Sequence, residues 1–208
     1  MRFTYSMSNL IFCPHTDDAI FSLGDYLIGK NNITVAAAFA GIPTDDYGRN
    51  KHTVLRKEHD EACSLICAKV INGDLLDDVY GKQDKATLVS WIKKVIDDND
   101  TSQVQSLNIF IPLGIHHPDH IFLSNSLFEI MDMYNCTFFV YAELPYRILY
   151  PELFNERLNK FKSKYILDQI DIAFTGNKKD AVEKYQSQID KPLMEKLIVE
   201  ENLWMVKS

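Results

Sequence analysis

The sequence predicts an α/β domain in which a mostly parallel sheet is covered by helices on both faces. Three observations carry that reading. Short apolar runs alternate with stretches of helical periodicity five times along the chain, the order that parallel strands and crossover helices require. The runs are apolar almost throughout, as strands buried on both faces are, and lack the in–out alternation of a sheet with one wet face. Finally, 208 residues with 46% apolar and 25% charged content suffice for one well-packed core and fall short of two.

Taken in order, residues 10–13 form an apolar run ended by Pro14, the pattern of a buried strand. Residues 19–28 follow with helical periodicity, and Gly29 with Asn31 and Asn32 supplies the stop. Residues 33–40 are a second strand. Residues 41–50, with Pro43, Asp45, Asp46 and Gly48, have the composition of a loop that overhangs a site. From Thr53 the helical pattern resumes, with Val54, Ala62, Leu65 and Ile66 on one face. Residues 69–71 make a third strand and Asn72-Gly73-Asp74 a turn. A helix over 86–96, a strand over 107–113, a helix over 121–133 with Pro118 suited to its first turn, and a strand over 138–144 complete the alternation. The tail is less regular. A strand is expected over 165–174, with helices over 178–189 and 192–204. No repeat or linker interrupts the chain, so one domain is expected over residues 1–208.

The formal charge of −7 and pI near 5.3 argue against the clustered Lys and Arg that nucleic acid or an anionic membrane requires. Neither is expected as a partner, and no run has membrane-spanning length. Cys13, Cys63, Cys67 and Cys136 form no C-x-x-C pair and read as small buried hydrophobes, not as a disulfide framework. Within residues 1–13 the apolar stretch is too short for a secretory signal before Asp17 and Asp18 intervene. The cytoplasm is therefore the expected compartment. A homo-oligomer is left open.

Four of the six histidines lie in two clusters, His15-Thr16-Asp17-Asp18 and His116-His117-Pro118-Asp119-His120. Each follows a predicted strand, where ligands bind in open parallel sheets of Rossmann-like type. His15 and Asp18 are three apart at a strand-to-helix turn; His117 and His120 repeat that spacing at a helix start. His15, Asp18 and His120 can supply two imidazoles and a carboxylate to a catalytic zinc that keeps one position open. Asp17, adjacent to a ligand yet free, can take a proton from water, His117 can protonate a leaving amine, and Asp119 can orient a site imidazole. Each cluster has a plainer reading as a helix cap or a solvated helix start, but two such coincidences at matching places favour a metal-dependent hydrolase. His52 and His59 have no such context and read as surface residues. Tyr47, Tyr80 and Tyr146 are candidates to stack on a ring.

These clusters resemble the PIG-L/LmbE-like family of zinc-dependent N-acetylglucosaminyl de-N-acetylases, especially its bacterial amino-sugar branch. The family's His-Pro-Asp-Asp-Glu motif stands here as His15-Thr16-Asp17-Asp18-Ala19, and its His-x-Asp-His as His117-Pro118-Asp119-His120. The likeness continues through Arg56-Lys57-Glu58, Leu76-Asp77-Asp78-Val79-Tyr80, Tyr141-Ala142-Glu143-Leu144-Pro145-Tyr146, Tyr185-Gln186-Ser187-Gln188 and Glu201-Asn202-Leu203-Trp204, nearly the whole chain. It implies one Zn2+ per chain on His15, Asp18 and His120, Asp17 as general base, and His117 as general acid or oxyanion helper. It also implies Arg56 and Asp77 as contacts to a small N-acetylated sugar. The expected reaction releases acetate and a free amine, with a bell-shaped pH–rate profile if base and acid need opposite protonation states. Three positions depart from the pattern: Thr16 replaces Pro, Ala19 replaces Glu, and Gly81 stands where an Arg often follows. Two other readings compete, a metal-dependent phosphoesterase, which two metals per chain would signal, and a non-catalytic sugar-binding protein on the same fold.

Overall fold

The computed structural model of the chain describes residues 7–82, 84–100 and 107–207. The five expected strands are present as β1 (Ser8–Cys13), β2 (Ile33–Ala37), β3 (Lys69–Asn72), β4 (Leu107–Pro112) and β5 (Thr137–Tyr141). They pair in parallel, and two later strands, β6 (Ile166–Ile170) and β7 (Leu203–Lys207), extend one edge with β7 running antiparallel to both neighbours. The sheet order is β3-β2-β1-β4-β5-β7-β6. The chain builds outward from β1 to β3, then returns to lay β4 against the other side of β1. That reversal makes the β1–β4 boundary the switch point, where crossover loops diverge and leave a crevice beyond the strand ends.

Helices α1 (Asp18–Leu27), α2 (Asp46–Leu65), α3 (Lys85–Asn99) and α4 (Pro118–Ile130) cover both faces. Successive strand residues point to opposite sides of a sheet, and the two cores alternate accordingly. Ile11, Cys13, Val35 and Phe110 pack with Leu23 and Leu27 of α1 and Ala62 and Cys63 of α2. Leu10, Phe12, Ala36 and Ile109 pack with Leu88 and Ile92 of α3 and Leu123 and Leu127 of α4. Among the described residues no helix is long and apolar enough to cross a membrane.

Several expectations need correction. The segment 41–50 is only partly loop, because the Asp45 carboxylate accepts from the Gly48 amide at 2.8 Å and starts α2 at Asp46. Such a cap satisfies an amide that the helix itself leaves unpaired. His52 and His59 are buried, not on the surface, since one face of α2 packs on the sheet and the other roofs the site. Cys67 is exposed, at a left-handed φ of 55° just past the end of α2.

The tail departs furthest. The expected helix over 178–189 contracts to one turn, α7 (Lys179–Val182), and that over 192–204 to α8 (Lys191–Leu197). Leu203 and Trp204 instead enter β7, where they are buried and β5 and β6 supply backbone partners on both sides. Two helices escape the sequence reading, α5 (Tyr146–Leu149) and α6 (Pro151–Lys162). Leu158 and Phe161 of α6 cover Val140 and Ala142 in a third core. A buried ion pair holds the tail to α1: Lys178 Nζ donates to the Phe21 carbonyl at 2.7 Å and to Glu201 at 3.0 Å, while Glu201 accepts the Asp25 and Tyr26 amides at 2.9 Å. An ammonium group survives burial there because its partners are in place.

Candidate metal and active site

Both histidine clusters emerge at the switch point, His15 just beyond β1 and His117 just beyond β4. The β1 turn is tied to its neighbour strand, with the Ala38 and Phe39 amides donating to the Cys13 and Pro14 carbonyls at 2.9 Å. It is also braced from the tail, where the buried Tyr185 hydroxyl donates to the Thr16 carbonyl at 2.9 Å and lies 3.2 Å from His59 Nδ1. Burial holds His59 down at about 4, so its ring is neutral. Glu58 clamps the same stretch of tail through the Ser187 amide and hydroxyl, at 2.7 and 2.6 Å.

His15, Asp18 and His120 converge. Asp18 Oδ2 accepts the His15 amide at 2.8 Å and lies 3.5 Å from His15 Nδ1 and 3.4 Å from His120 Nε2. Both nitrogen separations exceed a good charge-assisted hydrogen bond. They match the edge of a tetrahedron whose ligands stand about 2.0–2.2 Å from a central zinc, an edge of roughly 3.3–3.6 Å. His120 is fully buried, and its Nε2 has no hydrogen-bond partner. A buried nitrogen left unpaired is costly unless something else satisfies it, so the donor set fits a metal ion. The rings are held from behind. His15 Nε2 lies 3.1 Å from Asp119 Oδ2, and His120 Nδ1 lies 3.2 Å from Glu143 Oε1, the carboxylate–histidine arrangement that orients metal ligands.

Glu143 is the residue the sequence reading gave no role. It is fully buried just past β5, and its Oε1 also accepts the Gly114 and Ile115 amides at 2.7 and 3.1 Å. A carboxylate closing an otherwise apolar run was the available signal. Gly114 is required beside it, since φ is 84° and a Cβ there would lie 2.8 Å from that of Ser124.

The turn into the second cluster is strained. The His117 amide donates to the Ile115 carbonyl at 2.7 Å, closing a three-residue γ-turn around His116, whose φ is 63°. The His116 ring stacks on Tyr150 with centroids 3.7 Å apart. Beyond it, His117 caps α4 by accepting the Asp119 amide on Nδ1 at 3.2 Å. The neutral ring therefore carries its proton on Nε2. Burial, then the positive charge of His15 and His120, holds His117 below its usual range.

Asp17 takes the N-cap position of α1 with no side-chain capping bond and lines the cavity. Burial, then the charge of Asp18, pushes its carboxyl up to about 7. Burial alone would raise Asp18 as well, but His120 and His15 hold it below the usual range. For His15, burial opposes ionisation, yet hydrogen bonds to Asp119 and Asp18 outweigh it and raise the ring well above its usual range. The site thus attracts positive charge, which a proton or a metal can supply.

The remaining predicted contacts distribute unevenly. Tyr146 lines the cavity with its ring 4.8 Å from that of His120, edge to face. Asp77 lines it too, 3.7 Å from His15 Nε2; its Oδ1 accepts the Val79 amide at 3.2 Å. Arg56 borders the cavity but commits Nε to the Ala40 carbonyl at 2.6 Å and Nη2 to the Gly73 carbonyl at 3.1 Å. It therefore ties the loop after β2 to the turn after β3. Three further donor sets have ligand atoms that all lie within 4.8 Å of one another, namely His15 with His117 and His120, His15 with Asp77 and Asp119, and Asp77 with Asp78 and His117, whereas the set with Asp18 is drawn from the separations of Asp18 from each imidazole. The last two lean on partly exposed carboxylates, and the first omits the buried Asp18. The set containing Asp18 combines the unpaired His120 nitrogen with a buried carboxylate at ligand spacing from both imidazoles.

Comparison with known proteins rests on structure. No family model matches the chain, and no curated protein matches it. Among solved structures, the A40926 pseudoaglycone deacetylase Dbv21 superposes with a TM-score of 0.71 at 18% identity, over 97% of this chain and 96% of that one. N,N'-diacetylchitobiose deacetylase from Pyrococcus horikoshii superposes at 0.59 and 17% identity, over 93% and 74%. GalB, the 4-carboxy-2-hydroxymuconate hydratase from Pseudomonas putida KT2440, superposes at 0.64 and 15% identity, over 92% and 83%. The chain has the fold that these enzymes share, the fold expected from the PIG-L/LmbE resemblance.

Proposed function

We propose that this chain is a zinc-dependent amidohydrolase that removes the N-acetyl group from a small N-acetylated amino sugar, with one zinc held by His15, Asp18 and His120. The observation that carries the reading is the unpaired buried Nε2 of His120, set at ligand spacing from Asp18 and beside a carboxylate base whose oxygens are not taken by its helix. Two deacetylases share the fold over most of this chain, which supports the choice among hydrolytic reactions. When bound, zinc polarises an amide carbonyl and makes water more acidic.

The protein groups divide the remaining work. Asp17 accepts the proton of the attacking water and delivers it to the departing nitrogen. His117 lines the cavity, neutral with its proton on Nε2 and that nitrogen 3.7 Å from Asp78 Oδ1, and donates a hydrogen bond to the carbonyl oxygen as negative charge gathers there. The capping bond on Nδ1 disfavours a second ring proton, so the oxyanion role is preferred over that of general acid. Asp119 and Glu143 fix the rings of His15 and His120. Tyr146 offers an aromatic edge to the sugar, and Asp77 a carboxylate to its hydroxyls.

The test is an acetate-release screen over N-acetylated monosaccharides, disaccharides and nucleotide sugars, with metal analysis of the same preparation. Acetate release with one zinc per chain is the expected result. Sugar binding without acetate would leave a non-catalytic binding protein, and two metals per chain with phosphate release would establish a phosphoesterase. A second reading follows from GalB, whose hydratase activity shows that the fold also hosts water addition; loss of an unsaturated acid's absorbance without acetate would favour it.

A further inference from the structure

A second cavity, of about 280 Å3, lies between α4 and α6 and shares no lining residue with the one that holds His15 and Asp17. It joins two kinds of side chain. Phe128, Phe161 and Tyr165 line it as an apolar wall, with the Phe128 ring centroid 4.2 Å from that of Phe161 and 5.4 Å from that of Tyr165. Arg157, Lys160 and Lys164 line it as well. They fall at i, i+3 and i+7, one side of α6 carried just past its end at Lys162.

These cations lack carboxylate partners in a chain that is rich in them, with 29 Asp and Glu against 22 Lys and Arg. Glu129 lines the same cavity, but Lys85 engages its carboxylate at 2.7 Å. Glu156 stands one helical turn before Lys160, yet it lines a neighbouring cavity and forms no ion pair with that lysine. Among the described residues, none of Arg157, Lys160 and Lys164 has a carboxylate oxygen within 4.0 Å. Neutral acceptors hold Arg157 in place. Its Nε donates to the Leu113 carbonyl at 2.9 Å, and its Nη2 to Asn125 Oδ1 at 2.6 Å and Ser124 Oγ at 3.3 Å. The guanidinium lies 4.9 Å over the Phe161 ring. Both N–H groups of Nη1 remain to donate, from a planar head whose orientation is already fixed. Three neighbouring cations repel one another, and an anion among them relieves that repulsion.

We infer that this cavity is a second binding site, for a small phosphorylated aromatic molecule, with its dianion among Arg157, Lys160 and Lys164 and its ring against Phe128, Phe161 and Tyr165. The fixed guanidinium supplies directed donors of the kind that suit phosphate oxygens. The lysines add charge without a fixed geometry. Three cations exceed the need of a monoanion, which favours phosphate over carboxylate. The aromatic wall favours a ring-bearing ligand over inorganic phosphate, because it offers a large apolar area to a flat partner. Lys160 and Lys164 have one other use, to complement the negative end of α6, and that role needs no ligand. The site stands apart from the metal cavity, so it does not depend on the deacetylase reading.

The test is calorimetric titration of zinc-loaded protein with phenylphosphonate, methylphosphonate and benzyl alcohol. The first joins the ring and the dianion that the other two carry singly, and it has no ester bond to hydrolyse. Phenylphosphonate is expected to bind one per chain, with a Kd on the order of tenfold below that of either partial probe. Lys160→Gln together with Lys164→Gln, both at exposed positions, should raise that Kd by roughly tenfold and leave benzyl alcohol binding unchanged. Arg157 is kept, because it also braces the Leu113 carbonyl. A phenylphosphonate Kd unaltered by the double substitution would place the ligand elsewhere, the metal included, and overturns the inference. Equal Kd values for phenylphosphonate and methylphosphonate do the same, since they would leave an anion patch with no use for the rings. Loss of thermal stability in the double variant with binding intact would assign the lysines to the helix end alone, and failure of phenylphosphonate to bind would remove the site.

Discussion

The two strand-to-helix corners that meet at this site are alike in position and opposite in chemistry. At the end of β1 the N-cap residue is Asp17, a good capping residue, yet its carboxylate makes no capping bond. At the end of β4 the N-cap is His117, a poor capping residue by type, yet its Nδ1 accepts the Asp119 amide. The first corner keeps a carboxylate free and raises it to about 7. The second fixes a ring in one tautomer. A base must be able to change protonation state, whereas a hydrogen-bond donor must not, and the two corners differ in the way those tasks require.

The largest effect should come from the free carboxylate. Asp17→Asn is expected to lower kcat by roughly 10²–10⁴-fold with zinc still bound one per chain; loss of the metal as well would show that Asp17 is a ligand and erase the contrast. In the native enzyme the rate should climb as Asp17 deprotonates, below its metal-free value of about 7, because a bound dication favours the carboxylate. The profile should then level off. A descending alkaline limb that vanishes in His117→Gln would show that His117 works as an imidazolium acid, and would return the bell-shaped expectation drawn from the sequence.

His117→Ala comes next, with an expected loss of roughly 10²–10³-fold in kcat and little change in zinc affinity, in line with removal of one oxyanion donor. A smaller effect should follow from Glu143→Gln. Zinc affinity, measured by competition with a chelator, is expected to weaken about 10–100-fold because His120 loses a carboxylate partner. Unchanged affinity would mean that Glu143 serves only the Gly114 and Ile115 amides.

The smallest effect concerns the strained turn that aims the second corner. Glycine accepts the positive φ of His116 without cost but forfeits the stack on Tyr150; valine forfeits the stack and cannot relax at that φ. His116→Val should therefore be less stable than His116→Gly by on the order of 1–2 kcal/mol, read from denaturant midpoints. Equal midpoints would show that the turn carries no strain.

Much of this was legible in the sequence because the informative signals are local. Apolar runs ending at Pro14 and near Pro112 locate the two strands, and the His and Asp spacings locate the corners. The partners of the His15 and His120 rings were less accessible. Asp119 could be read because it sits within its cluster, but Glu143 reaches His120 from another strand, and only the sheet order makes them neighbours. His59 looked like a surface residue because its burial comes from Tyr185, 126 residues away. The tail was misread for the same reason. Residues 192–204 show a helical pattern locally, but Leu203 and Trp204 gain a pairing edge on β5 that no local pattern announces. Arg56 was expected at the substrate, and the carbonyls of Ala40 and Gly73 that engage it are likewise set by tertiary structure.

The central claim is that His15, Asp18 and His120 surround one metal ion. Anomalous scattering at the zinc edge, from crystals of zinc-loaded protein, tests it most directly. A single peak about 2.0–2.2 Å from His15 Nδ1, Asp18 Oδ2 and His120 Nε2 is the expected result. A principal peak among Asp77, Asp78 and His117, with none beside His120, would contradict it.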